Sequence, residues 1–379
     1  MNSTDKLFLL DAYALIYRSY YAFIKNPRIN SKGFNTSAIL GFVNTLEEVL
    51  KKENPTHIGV AFDPSGPTFR HEAYEQYKAQ REETPEAIRL SVPIIKDIIR
   101  AYRIPILEVS GYEADDVIGT LATEAGRQGI ITYMMTPDKD YGQLVSDNVF
   151  MYRPKHSGGF EVMGIEEIKA KFNIQSTEQV IDMLGLMGDS SDNIPGCPGV
   201  GEKTAQKLVA EFGSIENLLA HTDQLKGALK AKVEANREMI TFSKFLATIK
   251  VDVPIKLDMT TLVREEPDEE KLRKIFEELE FRTLIDRVLK KSGAPLSSSS
   301  NSVSPDLYAG TLFARPVDSP TPENNGPVQG DLFANFADNG TGNAENSNLT
   351  HLEMLDVDYQ LIDTEEKRSE IIQKLLTTE

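Results

Sequence analysis

Gly111-Tyr112-Glu113-Ala114-Asp115-Asp116 places three carboxylates within four residues, at the point where an apolar helical segment begins. If the helix starts near Tyr112, Glu113 and Asp116 lie one turn apart on one face, with Asp115 beside them. A single acid in a first turn favours the helix dipole and is ordinary capping. Three close carboxylates repel one another, so they hold either a proton or a cation. Acidic clusters elsewhere in the chain favour a bound cation over ordinary helix capping.

Three apolar runs that are typical of buried strands also lead into acids. Lys6 to Asp11 and His57 to Asp63 each end in an aspartate, and Ile130 to Thr136 precedes Asp138-Lys139-Asp140. An extended backbone would place Asp138 and Asp140 on one face. Each acid alone is more often a surface residue, but α/β sheets build sites at the carboxyl ends of their strands.

Helical periodicity fills the intervening segments and predicts helices over Thr36 to Lys52, Pro85 to Tyr102 and Gln179 to Met187. Another strand is predicted at Ile104 to Val109, and residues 214–292 are predicted to be mainly helical. Alternating strands and helices indicate an α/β fold with a central, mostly parallel sheet flanked by helices.

Residues 64–85 combine the cations Arg70, Lys78 and Arg81 with three aromatic side chains. This mixture suits a segment that binds phosphates and stacks on bases. A solvated amphipathic helix would give the same pattern.

Gly188 to Asn193 adds Asp189 and Asp192, again spaced for one helical turn. The glycine-rich stretch that follows opens an apolar helix, Ala205 to Phe212, and its free backbone N–H groups suit a phosphate. The position of Lys203 excludes a P-loop. The stretch looks like a helix-hairpin-helix element, which contacts a duplex backbone without reading bases, although a tight structural turn is an alternative.

The collected acids offer only oxygen ligands, which favours Mg²⁺ or Mn²⁺ over zinc and indicates more than one ion. Two such ions can activate a water and stabilise the leaving oxygen of a phosphodiester. Lys78, Arg81 and Arg70 could offset charge in the transition state. The predicted metal ligands are Asp11, Asp63, Glu113, Asp115, Asp116, Asp138, Asp140, Asp189 and Asp192.

The net charge of −17 is unusual for a nucleic-acid-binding protein. From Gly293 onward there are 4 basic and 14 acidic residues, so −10 lies there and −7 in residues 1–292. The nine proposed metal ligands carry more negative charge than the −7 of residues 1–292. The rest of this region is therefore slightly positive and could include basic surface patches. The single cysteine, Cys197, excludes a disulfide framework within the chain, and neither a usable signal peptide nor a membrane span is found. The expected location is the cytoplasm.

Composition changes after Ser292. Residues 293–350, rich in Ser, Pro, Asn and Gly, are predicted to be a disordered linker. Gln329, Leu332 and Phe333 form a short motif that resembles the peptides with which bacterial proteins bind the replication sliding clamp, although such motifs also arise by chance. Residues 351–379 regain periodicity and are interpreted as the start of an incomplete 3′-5′ exonuclease-like domain.

Residues 1 to about 290 resemble the 5′-nuclease domain of bacterial DNA polymerase I, in the flap endonuclease family. The motifs occur in the family's order: LLDAYALIYRSYYAF, VAFDPSGPTFRHEAYEQYKAQR, GYEADDVIGTLA, TPDKDYGQLV and GDSSDNIPGCPGVGEKTA. The resemblance implies a 5′-nuclease, PIN-like α/β domain with a helical arch over residues 1–175, and a helix-hairpin-helix subdomain over residues 176–292. It also implies a monomeric 5′-3′ exonuclease and flap endonuclease that acts on DNA with 5′ flaps, nicks or RNA primers.

By this resemblance, the acids would surround two ions, and Asp116 could contact the ligands instead of an ion. Lys78 and Arg81 would lie on the arch, with Arg70 at its base. Residues expected near the scissile phosphate or on duplex DNA are Tyr17, Arg18, Gly199, Gly201, Lys203 and Thr204. Backbone carbonyls of the hairpin would hold K⁺, although Cys197-Pro198 departs from the family pattern there.

Three other functions stay open. The chain could be a free-standing 5′-nuclease, or a catalytically silent protein of the same fold that binds DNA junctions. An acidic α/β phosphatase acting on small molecules is the third, but it would not need the hairpin or the basic aromatic segment.

Overall fold

The computed structural model describes residues 5–155 and 158–289. The predicted linker over 293–350, its motif Gln329, Leu332 and Phe333, and the predicted domain start over 351–379 lie outside the described residues. None of the helices in the described part of the chain has the length and hydropathy needed to cross a bilayer.

Six strands form one sheet. Their bounds are β1 Lys6–Asp11, β2 His57–Ala61, β3 Ile106–Leu107, β4 Ile131–Met135, β5 Val149–Pro154 and β6 Phe160–Met163. The spatial order is β3-β2-β1-β4-β5-β6, and all neighbours pair in parallel except β5 and β6, which are antiparallel. The predicted central, mostly parallel sheet is confirmed, while the strand predicted over Ile104 to Val109 is shorter and β5 and β6 are additional.

Helices cover both faces of the sheet. Their bounds are α1 Ala12–Ala22, α2 Ser37–Lys52, α3 Phe69–Ala73, α4 Glu86–Ala101, α5 Ala114–Arg127, α6 Ile165–Phe172, α7 Val180–Met187, α8 Glu202–Phe212, α9 Ile215–Ala220, α10 Gly227–Ala235, α11 Arg237–Ala247, α12 Glu269–Glu278 and α13 Arg282–Leu289. The helices predicted over Thr36 to Lys52, Pro85 to Tyr102 and Gln179 to Met187 correspond to α2, α4 and α7, and their bounds agree to within a residue or two.

The core has two layers because side chains of a strand alternate between faces. Leu7 and Leu9 of β1 point toward the layer that contains α5 and α7. Phe8 and Leu10 point toward the layer that contains α1, α2 and α4. All four side chains are fully buried, which fixes the register of β1 at the centre of the sheet.

The strand order reverses between β1 and β4, because the chain continues outward from β1 to β2 on one side and from β4 to β5 on the other. Open α/β sheets bind ligands beyond the carboxyl ends of the strands at such a reversal. Asp11 is the last residue of β1, and Asp138 follows β4. This edge is therefore the place where a site is expected.

The arch is helical only at its base. After α3, residues 74–85 form turns and irregular backbone up to α4. Lys78 has a φ of +56°, which a right-handed helix does not accommodate, and Tyr77 is only 3% exposed. The solvated amphipathic helix that we considered for this segment is therefore wrong, because burial of one aromatic side chain takes precedence over helical periodicity.

Candidate active site

Three chain segments bring acids to the edge of the sheet. Asp11 caps α1 and accepts a hydrogen bond from the backbone N–H of Ala14 at 3.1 Å. Asp63 follows β2 and accepts one from the N–H of Ala114 at 2.7 Å. Glu113 is the N-cap of α5. The backbone of the first α5 turn therefore positions Asp63 directly beside the Glu113–Asp116 cluster.

Burial and mutual repulsion perturb these carboxyl groups. Burial, reinforced by the nearby charge of Asp63, raises the pKa of Asp11 to about 7. Burial also raises the pKa of Asp63 above its usual range. The pKa of Asp115 is raised well above its usual value, first by burial and then by the charge of Asp116. Carboxyl groups held together in this way bind either protons or cations.

A second group of acids lies on two turns beside the first. Asp138 caps a 3₁₀ helix, Lys139–Leu144, and accepts a hydrogen bond from the N–H of Asp140 at 3.0 Å. The extended backbone predicted for this pair is therefore wrong, because the chain turns immediately after Asp138. Asp189 pairs with Lys139 at 2.9 Å. Burial and the charges of Asp138 and Asp189 raise the pKa of Asp140 well above its usual range.

Tyr77 and Lys78 connect the two groups. The hydroxyl of Tyr77 lies 2.9 Å from a carboxylate oxygen of Glu113 and 3.1 Å from one of Asp192. The Nζ of Lys78 lies 2.6 Å from Glu113 and 3.6 Å from Asp192. Burial alone would raise the pKa of both acids, but Lys78 together with Arg70 at Glu113, and with Arg81 and Tyr77 at Asp192, outweighs it and lowers their pKa values. The predicted acids thus converge from five chain segments on one pocket.

Two tyrosines and a threonine that sequence reasoning missed line this pocket. Besides Tyr77, the hydroxyls of Tyr141 and Thr136 lie 3.1 Å and 3.2 Å from Asp11. Tyr141 is fully buried, and burial together with the charges of Asp11 and Asp115 raises its pKa well above the usual value. Thr136 and Tyr141 flank Asp138 and Asp140 in sequence, and this adjacency was the only available signal.

The residues present fit divalent ions. Asp140 Oδ1 is buried and has no hydrogen-bond partner among the described residues. A buried carboxylate oxygen without a donor is unfavourable unless a cation satisfies it. Glu113, Asp115 and Asp116 place carboxylate oxygens within 4.8 Å of one another. Because every donor is oxygen, Mg²⁺ or Mn²⁺ fits this set better than zinc does.

Asp116 belongs to that group by distance, but its oxygens are already occupied. It is 0% exposed and accepts two hydrogen bonds from Arg70, both at 2.8 Å. The backbone N–H groups of Glu113 and Lys250 donate two more, at 3.1 Å and 2.8 Å. A carboxylate has about four acceptor sites. Asp116 therefore has no acceptor site left for an ion, so its predicted role as a ligand is not supported by the geometry.

Arg70, which we expected to offset charge at the reacting phosphate, is also occupied. It is 1% exposed, and a guanidinium has five N–H donors. All five donate to protein acceptors: Leu246 O, Glu113, Asp116 twice and Thr248 O. Arg70 consequently cannot donate to a phosphate and instead holds the acidic helix start in place.

Arg81 and Lys78 remain close to solvent. Arg81 donates to the backbone oxygen of Ser191 at 3.1 Å and pairs with the Asp192 carboxylate. The side chain of Arg81 is 39% exposed and that of Lys78 is 19% exposed. The segment that carries both cations thus rests on the turn at residues 189–193.

The first helix passes beside the same segment. The hydroxyl of Tyr17 donates to Thr84 Oγ1 at 2.9 Å, which connects α1 to the end of the arch segment. Arg18 donates to the backbone oxygen of Lys155 at 2.8 Å, next to the end of β5. Tyr17 therefore contacts the segment that carries Lys78 and Arg81, whereas Arg18 contacts the chain directly after β5.

The predicted hairpin residues gather at the start of α8. Gly201 is its N-cap, and Lys203 and Thr204 lie in its first turn. Gly199 has a φ of +76°, which favours glycine. The N–H of Thr204 already donates to Gly201 O at 3.0 Å, and the N–H groups before it, which have no partner within the helix, suit a phosphate. A free helix start next to a glycine turn is what the helix-hairpin-helix resemblance implied.

Two family models match the chain. One, described as "5′-3′ exonuclease, N-terminal resolvase-like domain", covers residues 6–173. The other, described as "5′-3′ exonuclease, C-terminal SAM fold", covers residues 175–270. Apart from residues 156–157, both matches therefore lie within the part of the chain that the structure describes.

Solved structures show the same fold. T5 5′-exonuclease with bound zinc ions matches with a TM-score of 0.54 at 22% identity, over 73% of this chain and 98% of that one. The catalytic core of Rad2 in complex with DNA substrate matches with a TM-score of 0.52 at 19% identity, over 75% of this chain and 93% of that one. At these identities the likeness concerns the fold alone.

Curated relatives are closer in sequence. DNA polymerase I of Bacillus subtilis is 42% identical over 291 residues, which are 76% of this chain and 33% of that protein. The chain thus spans about a third of the length of the polymerases it matches. A 5′-3′ exonuclease of Aquifex aeolicus is 37% identical over 284 residues, which are 75% of this chain and 95% of that protein. The chain belongs to the 5′-3′ exonuclease family of enzymes.

Proposed function

We propose that residues 5–289 form a metal-dependent, structure-specific 5′-3′ exonuclease and flap endonuclease. Its substrates would be DNA with 5′ flaps, nicks or RNA primers. The supporting observation is the convergence of acids from five chain segments at the reversal point of the sheet, where burial and repulsion raise several of their pKa values. Family membership supports the same reaction.

Two sets of acids would hold two ions. Asp11, Asp63, Glu113, Asp115 and Asp138 would hold the first, and Asp140, Asp189 and Asp192 would hold the second while sharing Asp115 and Asp138. Mg²⁺ is the expected ion and Mn²⁺ could replace it. Two ions of this kind supply an activated water and stabilisation of the leaving oxygen in phosphodiester hydrolysis.

The protein's own cations and hydroxyls would complete the pocket. Lys78 and Arg81 approach the acids from the arch side and would offset charge on the reacting phosphate, where preorganised cations act most strongly. Tyr77 would hold the carboxylates of Glu113 and Asp192 in fixed positions relative to each other, since its hydroxyl lies within hydrogen-bonding distance of both. Tyr17 and Arg18 would border the path of the cleaved strand.

The hairpin would hold the duplex. Gly199, Gly201, Lys203 and Thr204 would contact its phosphates, since a helix start with free N–H groups favours anions. K⁺ bound by hairpin carbonyls would add a positive charge there. Residues 1–175 would then form the catalytic domain and residues 176–292 the DNA-binding subdomain.

Asp115→Asn tests the reaction. We expect this variant to lose cleavage of a 5′-flap duplex in Mg²⁺ while it retains DNA binding, because the carboxylate shared by both ions is removed. Asp97→Asn is a matched control, since Asp97 is an exposed acid on α4 that pairs with Arg100. Flap cleavage by Asp115→Asn at a near wild-type rate would refute the assignment, and an inactive wild type that still binds junctions would favour a silent binder.

The longer relatives suggest a further context. We infer that the chain is the nuclease part of a cytoplasmic DNA polymerase I that removes primers and acts in excision repair.

Residues 329–333 would bind the sliding clamp, and the protein would act as a monomer. Deletion of residues 329–333 should weaken clamp binding in a surface-plasmon assay, whereas deletion of residues 310–313, which share Leu-Phe but lack the glutamine, should not. Equal affinity of both deletions would exclude the motif.

A further inference from the structure

The buried pair of Arg70 and Asp116 joins three separate segments of the chain. Arg70 comes from α3 and Asp116 from the first turn of α5. The third segment is the chain around the end of α11, where Leu246 O and Thr248 O accept from Arg70 at 2.9 Å and 2.8 Å. The N–H of Lys250 donates to Asp116 at 2.8 Å.

The same pair touches the proposed metal ligands. Arg70 Nη1 donates to Glu113 at 3.0 Å and lies 3.9 Å from Asp115. A buried ion pair holds its geometry because loss of one partner leaves an uncompensated charge. A displacement of residues 246–250 would therefore shift the carboxylates at the start of α5.

Helix α11 connects this pair to the hairpin. Ser243 of α11 is fully buried, and its hydroxyl accepts a hydrogen bond from the N–H of Gly196 at 2.9 Å. Gly196 lies at the beginning of the hairpin, and Leu246 lies one turn after Ser243 on the same helix. Hydrogen bonds and one rigid helix thus link the hairpin to the acidic pocket without a gap.

We propose that Arg70 is a positioning residue that couples the seating of duplex DNA on the hairpin to the placement of Glu113 and Asp115. The inference rests on the proposed nuclease function and adds a route by which duplex contact improves cleavage. A substrate without a duplex does not contact the hairpin and gains nothing from this route.

Arg70→Lys tests the coupling, because lysine keeps the charge but cannot make five directed hydrogen bonds. The kcat and KM values are measured on a 5′-flap duplex and on a single-stranded oligonucleotide of the same 5′ sequence. We expect the ratio of kcat on the duplex to kcat on the single strand to fall by about tenfold, with little change in KM for the duplex. A purely structural role would lower both kcat values equally.

Lys244→Gln is the matched control. Lys244 lies on α11 and pairs with Asp182 at 2.6 Å and with Glu216 at 2.9 Å, away from the acidic pocket. This variant should lose stability but retain the wild-type ratio. Ser243→Ala interrupts the same route at the hairpin end and should lower the ratio even if Arg70→Lys does not fold.

An unchanged ratio in active, folded Arg70→Lys, or in active Ser243→Ala where Arg70→Lys does not fold, would overturn the coupling and leave the nuclease function standing. A wild type that cleaves neither substrate would refute the nuclease function, and the coupling with it.

Discussion

Asp11 is one of the buried acids that make this site respond to pH. Burial and the charge of Asp63 raise its pKa from 3.8 to about 7. Between these two values the folded protein binds more protons than the unfolded chain does. The free energy of unfolding therefore decreases as the pH rises from about 4 to about 7, and this contribution is constant above that range.

We predict that the melting temperature in EDTA falls as the pH is raised from 5 to 7.5, and that Asp11→Asn flattens this dependence. Millimolar Mg²⁺ should raise the melting temperature, and more at pH 7.5 than at pH 5, because ions bind the folded site in competition with protons. Differential scanning fluorimetry at both pH values measures this. Melting curves that are indifferent to Mg²⁺ at pH 7.5 would contradict a preformed site.

Lys78 is the cation closest to Glu113, so its removal should change both the charge of the pocket and the rate of cleavage. We predict that Lys78→Met lowers kcat on a 5′-flap duplex by about 10²-fold, because the charge proposed to stabilise the reacting phosphate is removed. Lys51→Met is the control, since Lys51 forms only a helical pair with Glu47 on α2. Equal kcat values for both variants in single-turnover assays would exclude a catalytic role for Lys78.

Sequence alone predicted that these acids would lie together, because carboxylates at strand ends and helix starts form a recognisable pattern. It did not identify the role of Arg70. That role depends on the carbonyls of Leu246 and Thr248, which are more than 170 positions away and carry no side-chain signal. The same holds for Asp116, since only the folded structure shows that its four acceptor sites are filled.

The turn between α7 and the hairpin depends on close contact between two glycines. Gly188 and Gly196 have φ values of +72° and +63°. A Cβ atom on Gly196 would lie 2.3 Å from the backbone nitrogen of Gly188. This contact closes the loop that carries Asp189 and Asp192, so the position of two acids depends on the absence of two side chains.

We predict that Gly196→Ala destabilises the protein by about 2 kcal/mol or more, through strain at a positive φ and a backbone clash. Flap cleavage should fall as well, since Asp189 and Asp192 would move. Gly201→Ala is the control, because Gly201 has a φ of −96° and no atom within 4 Å of an added Cβ. Urea unfolding of the two variants decides, and equal stabilities would contradict the prediction.

Long apolar runs predicted the elements at the centre of the sheet correctly, because most side chains of β1, β2 and β4 are buried. Periodicity was less informative at the margins. β3 has only two residues, and β6 pairs antiparallel at the sheet edge with Val162 exposed, so neither follows a long apolar pattern. The helix predicted for residues 64–85 was wrong beyond α3, because Tyr77 is buried there and the N–H of Lys78 donates to Asp192 O at 3.0 Å.

The molecule as a whole places every proposed catalytic, metal-binding and DNA-binding residue before position 205 and every family match before position 271. We therefore predict that a chain ending at Leu289 cleaves 5′-flap DNA with the kcat and KM of the longer chain. Removal of the strongly acidic residues after Gly293 should, if anything, strengthen DNA binding at low salt. Loss of cleavage in the shortened chain would place a necessary element in the removed part.

The acids are spread along the chain in a way that bears on its biosynthesis. Asp11 is translated before Asp192, which the pocket also needs and which lies 181 positions later. A nascent chain shorter than this contains unbalanced negative charge and no complete ion site. Under the proposed nuclease function, nucleic acids can be cleaved only after translation has passed residues 189–192.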